Sequence, residues 1–129
     1  RVVQQKACLH LPPLPTTTIG SFPQRATVRA MLALFQAHKT ADADYWAFIN
    51  ADTDRCIQMQ DDIGLDVLVH SEFERHDMGE YFAEHLHGFC VTSNGWAQCY
   101  GSRCVKPPVL YGDVLKAGPK TVEMTQFAQ

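Results

Sequence analysis

The sequence predicts an α/β fold, and three observations point to it. "LDVLVH" (65–70) is a near-continuous apolar run of strand length, the pattern of a parallel strand covered on both faces. "TTTIG" (16–20) supplies a second strand, because Thr16, Thr17, Thr18 and Ile19 are all β-branched. Between the two lies a stretch of helical periodicity, and strand, helix and strand in series is the pattern of an α/β fold.

Residues 1–13 read as an irregular N-terminal segment, since Pro12, Pro13 and Pro15 favour extended chain and exclude helix. The first strand ends in a loop at Gly20 and Pro23. A first helix is predicted over 27–38, with Val28, Met31, Leu32 and Phe35 on one buried face. A second, longer helix is predicted over 42–62, with Phe48, Ile49, Ile57 and Met59 among its buried candidates and Gly64 as its stop. Its apolar period is imperfect.

Asp66 to Val69 then form the second strand. Beyond it, Asp77 followed three residues later by Glu80 has the spacing of a capping box, and Met78, Tyr81, Phe82 and Leu86 give the short helix an apolar side. Asn94-Gly95 marks a turn, because both residues tolerate positive φ. "AQCYGSRCVKPPVLYGDV" holds two short extended pieces broken by Gly101, Pro107, Pro108 and Gly112, and a last helix opens at Thr121. No repeat, low-complexity tract or linker divides residues 14–129, which read as one incomplete domain.

Composition narrows the function classes. With 46% hydrophobic and 19% charged residues the 129-residue chain has the make-up of a soluble globular domain. A formal charge of -3 and scattered Lys and Arg exclude the basic stripe that nucleic acid requires. No apolar run approaches the roughly 18 residues that span a bilayer, and "RVVQQKACLHLPPLP" lacks the apolar block of a signal peptide, so a cytosolic location without membrane partner is expected. Five cysteines with no C-x-x-C pair fit reduced thiols rather than a disulfide framework.

In α/β folds, functional groups gather at the C-terminal ends of strands. "IGSFP" follows the first strand. There Gly20 lets backbone N–H groups approach a ligand and Ser21 adds a hydroxyl, a cradle for a carboxylate or phosphate oxygen or else a plain turn. "VHSEFERHDM" follows the second strand and places Glu72 at a pocket mouth, where a carboxylate binds an ammonium group or acts as acid or base. Glu74, Arg75, His76 and Asp77 read as a solvated loop with Asp77 as a cap.

"HLHGFC" brings His85, His87 and Cys90 close in sequence, and Cys8 and His10 form another pair. None of these spacings matches a zinc finger or H-E-x-x-H, so exposed histidines and a buried Cys90 are expected, with no metal ligand assigned. In "NGWAQCYGSRCVKPP", Trp96 and Tyr100 offer stacking surfaces and Arg103 a planar fork suited to carboxylates, while Cys99 and Cys104 carry no signal by spacing alone.

Taken together, "LPTTTIGSFPQ", "IGLDVLVHSEFERHDMGEYF", "NGWAQCYGSRCVKPP" and "GDV" strongly resemble the start of the catalytic domain of the cobalamin-independent methionine synthase family, over Leu14 to Gln129. The resemblance implies a (β/α)₈ TIM barrel, of which this chain holds only the first βα units, with the remainder of the barrel as its structural partner. It implies transfer of a methyl group from 5-methyltetrahydropteroyl-polyglutamate to homocysteine, with zinc activating the thiol as a thiolate.

Carried over by position, Ile19, Gly20 and Ser21 match the loop that binds the homocysteine α-carboxylate, Glu72 the group that binds its α-amino group, and Arg103 with Cys104 a folate-contacting pair. Where the family has His-Gly-Glu, this chain has His70-Ser71-Glu72, and His76, Gly79 and Cys99 are further departures. The family's zinc ligands and its proton-donating His have no counterpart here, so the isolated chain is expected to be inactive. Two other readings stay open: a related barrel methyltransferase or decarboxylase, and a non-catalytic remnant or assembly partner.

Overall fold

A computed structural model describes residues 1–129, which form two compact units: residues 1–74 with 127–129, and residues 75–126. No helix is long and apolar enough to cross a membrane.

The first unit is helical. Helix α1 spans Val2–Leu9 and buries none of its residues. The irregular start expected for residues 1–13 is therefore corrected. "VVQQKACL" is a helix-compatible run, and the prolines at 12, 13 and 15 lie beyond it, where they can only limit its extension. Helix α2 (Ala26–Gln36) buries Val28 and Leu32. Helix α3 runs from Asp42 to Ile63 and ends as anticipated at Gly64, whose φ of 83° allows its N–H to reach Asp61 O while the Leu65 N–H reaches Gln60 O. Phe35 and Tyr45 stack across the two helices with ring centroids 3.9 Å apart.

The buried face of α3 explains its imperfect apolar period. Tyr45, Ile49, Asp52, Thr53, Cys56 and Gln60 recur at helical spacing, so the stripe is continuous but half of it is polar. Of the apolar candidates, Ile49 is buried, whereas Met59 is exposed. Arg25, at the N-terminus of α2, pairs with Asp52 on α3 and ties the helices together.

Regular strands do not form at 16–19 or 66–69. The two segments run alongside each other and meet in one parallel bridge, Ser21 to Ser71. The Val67 N–H donates to Thr16 O at 3.1 Å, but side chains have taken other backbone groups a ladder would use. The Asp66 carboxylate accepts from the Thr16 N–H and Oγ1, each at 2.7 Å, and the Thr17 hydroxyl donates to Val67 O at 2.8 Å. Further along, the Gln60 amide occupies both peptide groups of Val69. Val67 and Leu68 remain exposed, contrary to the two-sided burial their apolarity predicts.

The second unit holds helix α4 (Met78–Glu84), strands β1 (Leu86–Cys90), β2 (Ala97–Tyr100), β3 (Arg103–Val105) and β4 (Val109–Lys116), and all but the last residue of helix α5 (Val122–Phe127). Both sheets are two-stranded and antiparallel, β1 with β4 and β2 with β3. The architecture is thus mixed α and β without a closed barrel. Asp77 caps α4, its Oδ2 accepting the Glu80 N–H at 3.1 Å. Glu80 pairs with Lys106 at 3.0 Å. Ala83 and Met124 are buried, and the Arg75 guanidinium lies over the Tyr81 and Phe82 rings at 5.2 and 5.8 Å. Cys90 is exposed, so the buried cysteine is Cys56 instead.

Candidate functional site

Within the first unit, the loop after the first extended segment meets the turn after the second. Gly20 has φ 108°, and a Cβ built there would stand 3.1 Å from Glu72 Oε1. A carboxylate therefore closes on a backbone position that only glycine leaves open. The Phe22 N–H donates to Ser71 O at 3.1 Å, which fixes the two loops in register next to the Ser21–Ser71 bridge. Ile19 is 93% exposed.

Glu72 reaches this position through an unusual backbone. Ser71 and Glu72 have φ of 78° and 60°, two consecutive left-handed residues that are not glycine. Ser71 is fully buried and its hydroxyl donates to His70 O. The Glu72 N–H donates to His70 Nδ1 at 3.2 Å. Glu74 Oε2 lies 3.9 Å from the same nitrogen.

Behind the turn stands Gln60, which is fully buried. Its amide presents a carbonyl and an NH₂ side by side, as a peptide group does. Oε1 accepts the Val69 N–H at 3.0 Å, while Nε2 donates to Val69 O at 2.8 Å and to Cys56 O at 3.1 Å. Burial pushes the neighbouring Cys56 thiol up from its ordinary value, which keeps it protonated and unreactive. Gln60 and His70 were not singled out as site residues by sequence. The signal for Gln60 was its place on the α3 stripe, one turn after Cys56.

Arg103 and Cys104 lie in the second unit on β3, and both are exposed. Arg103 Nη2 donates to Asp77 Oδ1 at 2.7 Å, so one carboxylate caps α4 with one oxygen and holds this guanidinium with the other. Trp96 carries Lys106 Nζ 5.2 Å from its ring centre and His76 edge-on at 6.0 Å.

The family model for the cobalamin-independent synthase catalytic domain matches residues 14–129. The chain belongs to that family. It is 57% identical over 125 residues to the 5-methyltetrahydropteroyltriglutamate–homocysteine methyltransferase of Xylella fastidiosa (strain M23), covering 97% of this chain and 16% of the relative. The like-named protein of Lactiplantibacillus plantarum is 57% identical over 129 residues, all of this chain and 17% of the relative. That of Caulobacter vibrioides is 55% identical over 125 residues, 97% of this chain and 16% of the relative. The chain thus spans about a sixth of the length of these curated relatives.

For a chain of the cobalamin-independent synthase family, two features of the geometry carry weight. Ser71, the departure from the His-Gly-Glu pattern, occupies a left-handed position that glycine would adopt without strain. No three His, Cys, Asp or Glu side chains converge on a point where a metal ion would be held. The residues present therefore do not fit a zinc site.

Proposed function

We propose that this chain carries the amino-acid clamp of a methyltransferase that moves a methyl group from 5-methyltetrahydropteroyl-polyglutamate to the thiol of homocysteine, giving methionine. In that reaction the sulfur–methyl bond forms as the bond from N5 to methyl breaks; the thiol gives up its proton and N5 takes one up. The loop at Ile19, Gly20 and Ser21 offers N–H and hydroxyl donors to the α-carboxylate, and Glu72 accepts from the α-ammonium. Holding both ends of the amino acid fixes the direction of its thiol, and such orientation is a large part of catalysis in two-substrate reactions. Arg103 and Cys104 take the folate side, where the guanidinium fork suits a carboxylate.

The observation that supports this reading most is the placing of the Glu72 carboxylate against Gly20. An anion and a set of backbone donors within one loop pair match a zwitterion better than a simple anion. Zinc, as the family resemblance implies, would be held by residues outside this chain, and the chain alone is inactive. Incubation with zinc, homocysteine and methyl-folate is expected to form no methionine, while a homocysteine titration followed by amide NMR shifts the signals of Gly20, Ser21 and Glu72. Methionine formation would contradict the first part, and unmoved amides the second.

A further inference from the structure

Glu72 is held in a conformation that a free chain would rarely visit, which raises the question of what keeps it there. Two successive left-handed residues cost about 1–2 kcal/mol each unless their surroundings impose them. On the N-terminal side, Val69 is clamped through both of its peptide groups by the buried Gln60 amide. At the turn itself the Glu72 N–H donates to the side chain two residues before it, a 3.2 Å contact with His70 Nδ1. A side-chain acceptor at one residue receiving the N–H two residues on is the ring an asparagine or aspartate closes in an Asx-turn. Here an imidazole closes it.

We infer that His70 is a positioning residue that acts through Glu72. Its ring, accepting through Nδ1, stands in for an Asx side chain and locks the 71–72 turn so that the Glu72 carboxylate faces Gly20. The inference rests on the clamp reading given above, because it assigns His70 to the recognition of the α-ammonium group. It makes His70 neither a metal ligand nor an acid or base.

The Asx analogy gives the test. In this chain, His70→Asn keeps an acceptor at the right spacing and His70→Ala removes it. Two measurements are made on each: hydrogen exchange of the Glu72 amide, and the ratio of affinities for homocysteine and for 4-mercaptobutanoate, which lacks the α-amino group. The expected result is a protected Glu72 amide and a clear preference for homocysteine in the parent chain, loss of both in His70→Ala, and return of both in His70→Asn. A preference that survives in His70→Ala overturns the inference alone. A parent chain whose Glu72 amide is protected but which binds both ligands equally overturns the clamp reading and, with it, this role of His70. Equal loss in both variants would mean that the ring acts by filling space, and would also overturn it.

Discussion

Glu72 stands on a turn whose flanking backbone is tied to Gln60, His70 and Phe22, whereas Arg103 stands on a three-residue exposed strand and is held by a single carboxylate. The first arrangement is built from the main chain and from buried amides, so its geometry is set when the unit folds. The second is a side-chain pair in contact with solvent, where water and salt compete for both partners. Glu72 is therefore placed by the fold of its own unit. Arg103 is a replaceable surface feature resting on a helix cap.

This contrast is broken most forcefully at Gln60. Replacing it with Leu leaves the Val69 N–H and carbonyl without their partners in a half-buried setting, where each orphaned group costs at most about 1–3 kcal/mol. Gln60→Leu is expected to lose about 2–4 kcal/mol of stability, read as a lower urea midpoint. Ser71→Gly acts in the opposite direction. It relieves a left-handed residue, and after the added chain entropy of glycine the net gain is about 0.5–1 kcal/mol, seen as a higher thermal midpoint.

Arg103→Ala tests the surface feature. It removes an exposed ion pair while Asp77 keeps its cap, so stability is expected to change by less than about 1 kcal/mol in chemical denaturation. Any larger loss would show that the arginine is structural. The smallest effect expected is at Asp66. Hydrogen bonds from Thr16 hold its carboxyl below its ordinary value of 3.8, so the stability it adds is present above that value and is lost as pH falls through the lower folded value. Thermal melts across that acid range are expected to flatten in Asp66→Ala.

Some of this was legible in the sequence. The length of α3 and its stop at Gly64 follow from local rules, as does the Asp77 cap, because helix ends are set by the few residues nearest to them. The cap itself is only half of a capping box, since Glu80 turns to Lys106 instead. The strands at 16–19 and 66–69 were overread because β-branched and apolar residues signal extended backbone but not who takes its hydrogen bonds. Gln60 lies 9 residues before Val69, and nothing in local patterning announces that an amide will replace a neighbouring strand. The pairing of β1 with β4 is hidden for a related reason. "LHGFC" becomes a strand only by pairing with a segment some twenty residues later, a contact that periodicity does not carry.

In the same way, Gly20 and Glu72 were identified from type and position at segment ends, but their approach was not visible. It depends on two left-handed residues that propensity argues against. Ser71 departs from the family's pattern, and its left-handed backbone gives that departure its physical meaning.

The central claim is that Glu72 accepts the α-ammonium group of homocysteine from a turn built to hold it. The most direct measurement is the calorimetric affinity of homocysteine for the chain and for Glu72→Gln, which keeps size and removes charge. A charge-assisted hydrogen bond contributes about 1.5–3 kcal/mol, so the substitution is expected to weaken binding by about tenfold or more. Equal affinities for the two chains would contradict the account.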